Sequence, residues 1–388
     1  MRERIYLDWN ATTPLRSEAR AAMEASWDVA GNPSSVHAEG RQARRLVEDA
    51  RAAVAASLGA LPRNVVFASS GTEANVLALS PGLHAAGGRP VRRLLVSSIE
   101  HASVLAGGRF SPHATEAIAV TSSGVVDLDD LRGKLASGEP ALVSIMAANN
   151  ETGAIQPISE AARIVREAGC VLHVDAIQAL GKIPLDIKEL GADLVTVSAH
   201  KIGGPKGVGA LALAEGLEGL APLLGGGGQE RGRRAGTENV AGIVGFGAAV
   251  KAALAGLEAD SRRVEGLRDQ LERGLRQTPG LIIFSAEVPR LPNTTLFTVP
   301  GLRAETAVIG FDLEAIAVSS GSACSSGKVQ PSHVLQAMGA GPKLAEGAVR
   351  LSLGWSTTEA DIESCLKAWR KLSATLIKDS DETLLERF

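Results

Sequence analysis

Short, nearly unbroken apolar runs recur through the first half of the chain, at 65–68, 94–97, 117–120, 142–147, 171–175, 194–198 and 208–213. Runs this short, bounded by Gly, Pro, Ser and Asp, read as strands buried on both faces. Helical spacing fills the gaps at 73–86, 129–136 and 158–168, the last behind Pro157, which suits a helix start. This alternation predicts β-α-β units around a mostly parallel sheet. From Val240 to about Gln277 the pattern is helical and increasingly charged, which predicts a connected helix pair. A second alternation follows Gly280, with strands at 281–284, 295–299, 316–319 and 349–353 and helices at 304–311 and 358–376. The expectation is a large α/β domain followed by a smaller α+β domain. No internal repeat interrupts this order. The glycine run 225–228 is too short for a linker and reads as a tight functional loop.

Composition narrows the function classes. A chain of 388 residues, 45% apolar and 21% charged, is large enough for two globular domains. Lys+Arg at 40 against Asp+Glu at 43 lacks the basic excess of a general nucleic-acid binder, so direct nucleic-acid binding is not expected. No stretch reaches the roughly 18 apolar residues of a membrane span, and no apolar run follows Met1-Arg2-Glu3-Arg4 as in a secretory leader. Three cysteines, Cys170, Cys324 and Cys365, cannot all pair and show no CxxC spacing, which predicts a reducing, cytoplasmic setting. Lysine is scarce beside arginine, so a lysine inside an apolar, Gly-rich segment stands out.

That lysine is Lys201, in Ser198-Ala199-His200-Lys201-Ile202-Gly203-Gly204-Pro205-Lys206-Gly207. It follows a strand, where ligands of open α/β sheets collect, and a desolvated amine there can form a Schiff base with an aldehyde cofactor. On this segment alone a Gly-Pro turn with a solvated lysine reads equally well. A P-loop does not fit, because Lys206 is followed by Gly207. Asp175 ends another strand on the same edge and can face the ring nitrogen of a pyridine cofactor, with Gln178 reaching its phenolic oxygen. A strand-end Asp alone also reads as a helix cap. Ser69-Ser70-Gly71-Thr72-Glu73 opens a helix and suits an anion, with Ser198, His200 and Thr237 available to complete a phosphate cradle. An ordinary N-cap would have the same sequence. His101 can stack on a ring and move protons, or cap the next helix. His37, His84, His113, His173 and His333 have no spacing that suggests a metal site. Cys324 lies among small polar residues, in an expected exposed loop, while Cys170 and Cys365 read as core.

Together the motifs resemble the cysteine desulfurases of the NifS/IscS type, in the class V group of aminotransferase-like, fold type I enzymes. The resemblance runs through Tyr6-Leu7-Asp8-Trp9-Asn10-Ala11-Thr12-Thr13-Pro14, Gly31-Asn32-Pro33-Ser34-Ser35, Ser70-Gly71-Thr72-Glu73-Ala74-Asn75 and Glu100-His101. It continues through Asn149-Asn150-Glu151-Thr152-Gly153, His173-Val174-Asp175, Ser198-Ala199-His200-Lys201, Glu230-Arg231-Gly232-Arg233-Arg234-Ala235-Gly236-Thr237 and Ser319-Ser320-Gly321-Ser322-Ala323-Cys324. It implies that residues 15–255 form a large pyridoxal 5'-phosphate domain, and that 1–14 with 256–388 form a small domain carrying the cysteine loop. Lys201 would carry the cofactor, Asp175 pair with its ring nitrogen and Gln178 contact its phenolic oxygen. His101 would stack and transfer protons. Gly71, Thr72, Ser198 and His200 would hold the phosphate, with Thr237 reaching over from the second subunit of a homodimer. Asn150, beside the cofactor, and Arg350 would orient L-cysteine, and Cys324 would take its sulfur as a persulfide and release alanine.

The Ser/Gly-rich cysteine loop resembles the group I form, which passes sulfur to an acceptor protein such as an iron–sulfur scaffold or a tRNA-thiolation relay. Trp9 and Trp355 depart from residues common in relatives, at the substrate entrance. A selenocysteine or cystine lyase and an aminotransferase share the fold. An aminotransferase needs no sulfur-accepting cysteine, and an inactive sulfur-trafficking scaffold would not need Lys201, Asp175 and His101.

Overall fold

The computed structural model describes residues 4–85, 87–321 and 331–377. Seven of the apolar runs form one sheet. Its strands are β1 (Val65–Ala68), β2 (Arg93–Ser97), β3 (Thr115–Ile118), β4 (Ala141–Met146), β5 (Val171–Asp175), β6 (Leu194–Ser198) and β7 (Gly209–Leu213), in the order β1-β7-β6-β5-β4-β2-β3. All run parallel except β7, which is antiparallel to both its neighbours. Strands β4 to β7 are buried at every position, as a sheet covered on both faces requires. Met146 pairs with Asp175, Asp175 with Thr196, and Gly209 with both Ser198 and Ala68. The candidate residues after β1, β5 and β6 therefore leave the sheet along one edge.

The helix expected over 73–86 is shorter, Gly71–Ala78. Ser80 precedes Pro81, which disfavours the helical conformation, and Gly82 then turns the chain at φ +93°. His84–Ala85 pairs instead with Leu217–Glu218. Two further helices, Ser17–Ser26 and Ala38–Ala56, pack on Val240–Ala255. The second of them buries Ala43, Val47, Ala50 and Val54, a stripe at helical spacing.

The expected helix pair is Val240–Ala255 and Leu257–Leu275, bent by 70° at Gly256. Beyond it lies an antiparallel sheet of β8 (Ile282–Ile283), β9 (Thr294–Thr298), β10 (Ser319–Ser320) and β11 (Val349–Ser352), ordered β8-β9-β11-β10. Trp369, from helix Glu359–Leu376, packs edge-on against Phe297 at 4.9 Å and stacks with Phe311 at 6.2 Å. One apolar core gathers buried residues between 19 and 253, and another joins Leu7 to residues between 264 and 369. The strand expected at 316–319 changes partner: Ile316–Ala317 pairs with Ile5–Tyr6, and Ser319–Ser320 with β11. The N-terminal segment then crosses to the large sheet, where Thr13 N donates to His200 O and Arg16 N to Gly203 O. Among the described residues no single helix is long and apolar enough to cross a membrane.

Candidate active site

A cavity of about 790 Å³ opens at the carboxyl edge of the large sheet. Gly71, Thr72, His101, Asn150, Asp175, Gln178, Ser198, His200, Lys201 and Arg350 all line it. Thr237 sits apart, exposed, in the segment before helix Val240–Ala255. Cys324 lies outside the described residues.

Lys201 ends a single 3-10 turn directly after β6, and its amine donates to the carbonyls of Asn10 and Ala11. Burial, then the nearby Arg350 charge, brings the amine down to about 8. At the end of β5, Asp175 accepts from Asn75 Nδ2 at 2.8 Å and from Ile177 N at 3.0 Å. Burial pushes its carboxyl up against those two bonds, so a cationic partner in the cavity would relieve it. His101 takes the helix-capping reading of its sequence position and also faces the cavity. Its Nδ1 caps helix Ala102–Leu105 by accepting from Ser103 N at 3.1 Å. An accepting Nδ1 leaves the ring proton on Nε2, and burial keeps the imidazole neutral.

The anion end is built from backbone. Ser70 caps helix Gly71–Ala78 through Glu73 N at 3.1 Å. Gly71 has no room for a side chain, since a Cβ there would stand 2.3 Å from Ile177 Cδ1. Glu73 is turned away, accepting from Ser69 N and neutralised by Arg234 at 2.8 Å. The helix N-terminus is thereby left to an anion. Ser198 Oγ, buried at the same edge, has no hydrogen-bond partner among the described residues. His200, brought down to about 4 mainly by burial, is neutral and bonds Thr12 Oγ1 at 3.2 Å. Nearby, Glu230 and Arg231 take left-handed φ of 48° and 58°, uncommon for residues with a side chain. A buried two-point ion pair between Arg51 and Glu230, at 2.7 and 2.9 Å, holds that turn.

Across the cavity, Arg350 donates to Asn150 O at 3.0 Å and pairs with Asp8 at 2.8 Å. Its Nε is buried and has no hydrogen-bond partner among the described residues. The guanidinium is thus pre-aimed, with a donor in reserve.

These features coincide with a wider likeness. The aminotransferase class-V family profile matches residues 5–365. The chain belongs to the aminotransferase class-V family. Among relatives, "Cysteine desulfurase IscS" of Dictyoglomus turgidum is 40% identical over 377 residues, spanning 96% of this chain and 95% of that protein. "Cysteine desulfurase" of Cereibacter sphaeroides is 43% identical over 372 residues, 94% of each chain. A NifS-like protein from Rickettsia africae superposes with TM-score 0.87 at 38% identity, covering 96% of this chain and 100% of that one. SspA in complex with cysteine gives TM-score 0.76 at 29% identity, covering 91% and 100%.

For a class-V family member, the residues present fit pyridoxal 5'-phosphate. The lowered amine of Lys201 suits its aldehyde, the Asp175 carboxylate its ring nitrogen, and the unpartnered Ser198 hydroxyl with the Gly71 helix end its phosphate. Sequence reasoning missed four polar residues in and around this site, three of them buried and Lys182 half-buried. Asn10 uses every polar atom: its N bonds Ser352 Oγ, its Nδ2 Asn150 O and Thr294 Oγ1, its Oδ1 Lys182 and Asn293, and its O Gln178 and Lys201. The second is Lys182 itself. Glu100 is pushed well up by burial, with one oxygen on Met146 N and the other without a hydrogen-bond partner among the described residues. Glu151, raised to about 7 by burial, accepts from Ser332 Oγ at 2.5 Å. Asn10 and Glu151 stood inside quoted motifs, and Glu100 beside His101. Lys182 was visible only as one of few lysines.

Proposed function

We propose that the protein is a pyridoxal 5'-phosphate-dependent cysteine desulfurase, which removes sulfur from L-cysteine and releases L-alanine. The observation that carries this reading is the gathering of Lys201, Asp175, His101, Ser198 and Arg350 around one cavity, in a chain about two-fifths identical to cysteine desulfurases. Bound there, the cofactor supplies an electron sink for the substrate carbon beside the breaking C–S bond.

The chain's own residues do the rest. Lys201 would be the attachment amine and would also serve as a base toward the substrate carbon. Asp175 would keep the ring nitrogen protonated, Gln178 would donate to the phenolic oxygen, and Gly71, Thr72, Ser198 and His200 would hold the phosphate. Neutral His101 would face the ring and exchange a proton through Nε2. Arg350, with Asn150, orients the substrate by its carboxylate, the Arg350–Asp8 pair opening to admit it. Cys324 Sγ, as thiolate, attacks the substrate sulfur, so that an S–S bond forms as the C–S bond breaks and the carbon takes a proton.

The same reading assigns 15–255 to a large domain and 1–14 with 256–388 to a small one, supported by one apolar core within residues 19–253 and another joining Leu7 to residues 264–369. It includes a homodimer in which Thr237 completes the partner's phosphate site, supported by its exposed position in a segment that Arg234 ties to Glu73. The persulfide passes to an acceptor protein such as an iron–sulfur scaffold, in the cytoplasm. The free thiols of Cys170 and Cys365 are compatible with a reducing setting.

The purified protein is expected to be yellow and to convert L-cysteine with a reductant into alanine and sulfide. Lys201→Ala should lose the visible band, and Cys324→Ser should bind substrate without forming persulfide. A colourless, phosphate-free wild type would sink the cofactor assignment. Wild-type turnover by Cys324→Ser would sink the sulfur step.

A further inference from the structure

Lys182 is a second half-buried lysine beside the attachment amine, and the mechanism above gives it no task. Its Nζ donates to Gln178 Oε1 at 2.8 Å and to Asn10 Oδ1 at 3.0 Å. Its backbone is fixed from both sides, with N donating to Ala179 O at 3.0 Å and O accepting from Ser261 Oγ at 2.8 Å. Burial, reinforced by the charges of Lys201 and Arg350, holds the amine well below its ordinary range. Two of the amine's N–H groups are thus met by fixed acceptors on Gln178 and Asn10.

The arrangement decides which way the Gln178 amide faces. Gln178 Nε2 donates to Asn10 O at 2.9 Å, and that carbonyl can only accept. A flipped amide would set its oxygen against the Asn10 carbonyl and its NH2 against the Lys182 donors. Both hydrogen bonds would be lost inside a buried site, where unmade bonds cost most. With Oε1 held by Lys182 and one N–H held by Asn10, the second N–H of Gln178 is left for the cavity that Gln178 lines. We propose that Lys182 is a positioning residue of the active site, its amine bridging Gln178 Oε1 and Asn10 Oδ1 so that Gln178 presents an N–H to the bound cofactor. This rests on the reading of Gln178 as the partner of the cofactor's phenolic oxygen. Such a donor draws electron density from that oxygen and eases loss of the proton it shares with the attached lysine nitrogen. Because Asn10 O also receives the Lys201 amine, Lys182 steadies the Lys201 attachment site through the same residue.

The test is a double-mutant cycle of Lys182→Met and Gln178→Ala. Two quantities are measured: pyridoxal phosphate affinity of the apoprotein, from quenching of tryptophan emission, and the pH midpoint of the visible band of the loaded protein. Circular dichroism melting of each apoprotein reports folding. Each single variant is expected to bind the cofactor several-fold more weakly and to raise the midpoint, with Lys182→Met adding nothing once Gln178 is Ala. The proposal is overturned if Lys182→Met leaves both quantities at wild type while Gln178→Ala moves them, or if the two effects add in full. If Gln178→Ala moves neither quantity in a yellow protein, the Gln178 contact fails and the proposal with it, while the cofactor assignment stands. Should Lys182→Met fail to fold, Lys182→Gln keeps one N–H donor for Gln178 Oε1 and is expected to stay nearer wild type in both readings; an equal loss would overturn the proposal.

Discussion

At Lys201, burial and the Arg350 guanidinium push the amine the same way, to about 8. The neutral, nucleophilic amine therefore forms as pH rises through 8, well below the ordinary lysine range. Cofactor uptake by the apoprotein is expected to quicken about tenfold from pH 7 to pH 8.5 and then level off, following an amine of this pKa. A stopped-flow record that climbs steadily to pH 10 would show an unperturbed amine. Glu151 titrates in the opposite sense. Its folded pKa, about 7, lies above the ordinary 4.5, so between those values the folded state keeps a proton that the unfolded chain has lost. Stability contributed at low pH is thus lost as pH rises toward 7. Glu151→Gln removes the penalty and can still accept from Ser332. Relative to wild type it should gain roughly 2–3 kcal/mol between pH 5 and pH 8, read from denaturant midpoints at the two pH values. An equal offset at both would mean that Glu151 is already ionised at pH 5 in the folded protein, with no raised pKa.

Among the elements, β7 constrains the anion site most directly. Gly209 opens it, and a Cβ there would stand 2.5 Å from the backbone C and O of Ser70 and 2.8 Å from Gly71 N. Backbone cannot swing aside as a side-chain tip can. Gly209→Ala is expected to cost about 1–3 kcal/mol and to weaken pyridoxal phosphate binding by shifting the helix end that receives the phosphate. Gly133→Ala, in helix Leu128–Leu135 with nothing within 4 Å of the new Cβ, is the control and should be neutral or slightly stabilising. Melting and cofactor titration of the pair separate general strain from local displacement.

Most strands of the large sheet were legible because burial on both faces writes them as apolar runs. The helix 73–86 was read too long because its apolar pattern continues past Ala78, while Pro81 governs the backbone. Helix Ala38–Ala56 is hard to read from sequence because the apolar side chains of its buried stripe are only small Ala and Val, set among Arg and Glu. The cavity lining was legible where residues follow strands. Asn10, Lys182 and Glu151 were not, because their roles come from partners far along the chain, such as Asn293, Gln178 and Ser332.

On the scale of the whole molecule, the site takes Asp175 from the large sheet and Arg350 from the small one and, in the reading proposed, draws on two subunits. Complementation tests the second point. If Thr237 serves the neighbouring subunit, a heterodimer of Lys201→Ala and Thr237→Ala contains one site with both residues intact and one with neither. Such heterodimers should retain one tightly held cofactor each. If Thr237 serves its own subunit, no intact site arises and retention stays at the level of the Thr237→Ala homodimer.

The N-terminal crossing also bears on how the pocket is assembled. Ile5–Tyr6 pairs with Ile316–Ala317 and Asp8 bridges to Ser352, while Asn10 lies against Lys201. The pocket is thus closed by contacts between segments very far apart along the chain, the kind that form slowly because a long loop must first be ordered. The large sheet rests mainly on nearer β-α-β contacts. A chain cut before residue 316 is therefore expected to keep much of that sheet, to lose the strand that anchors Asn10, and to hold the cofactor less tightly.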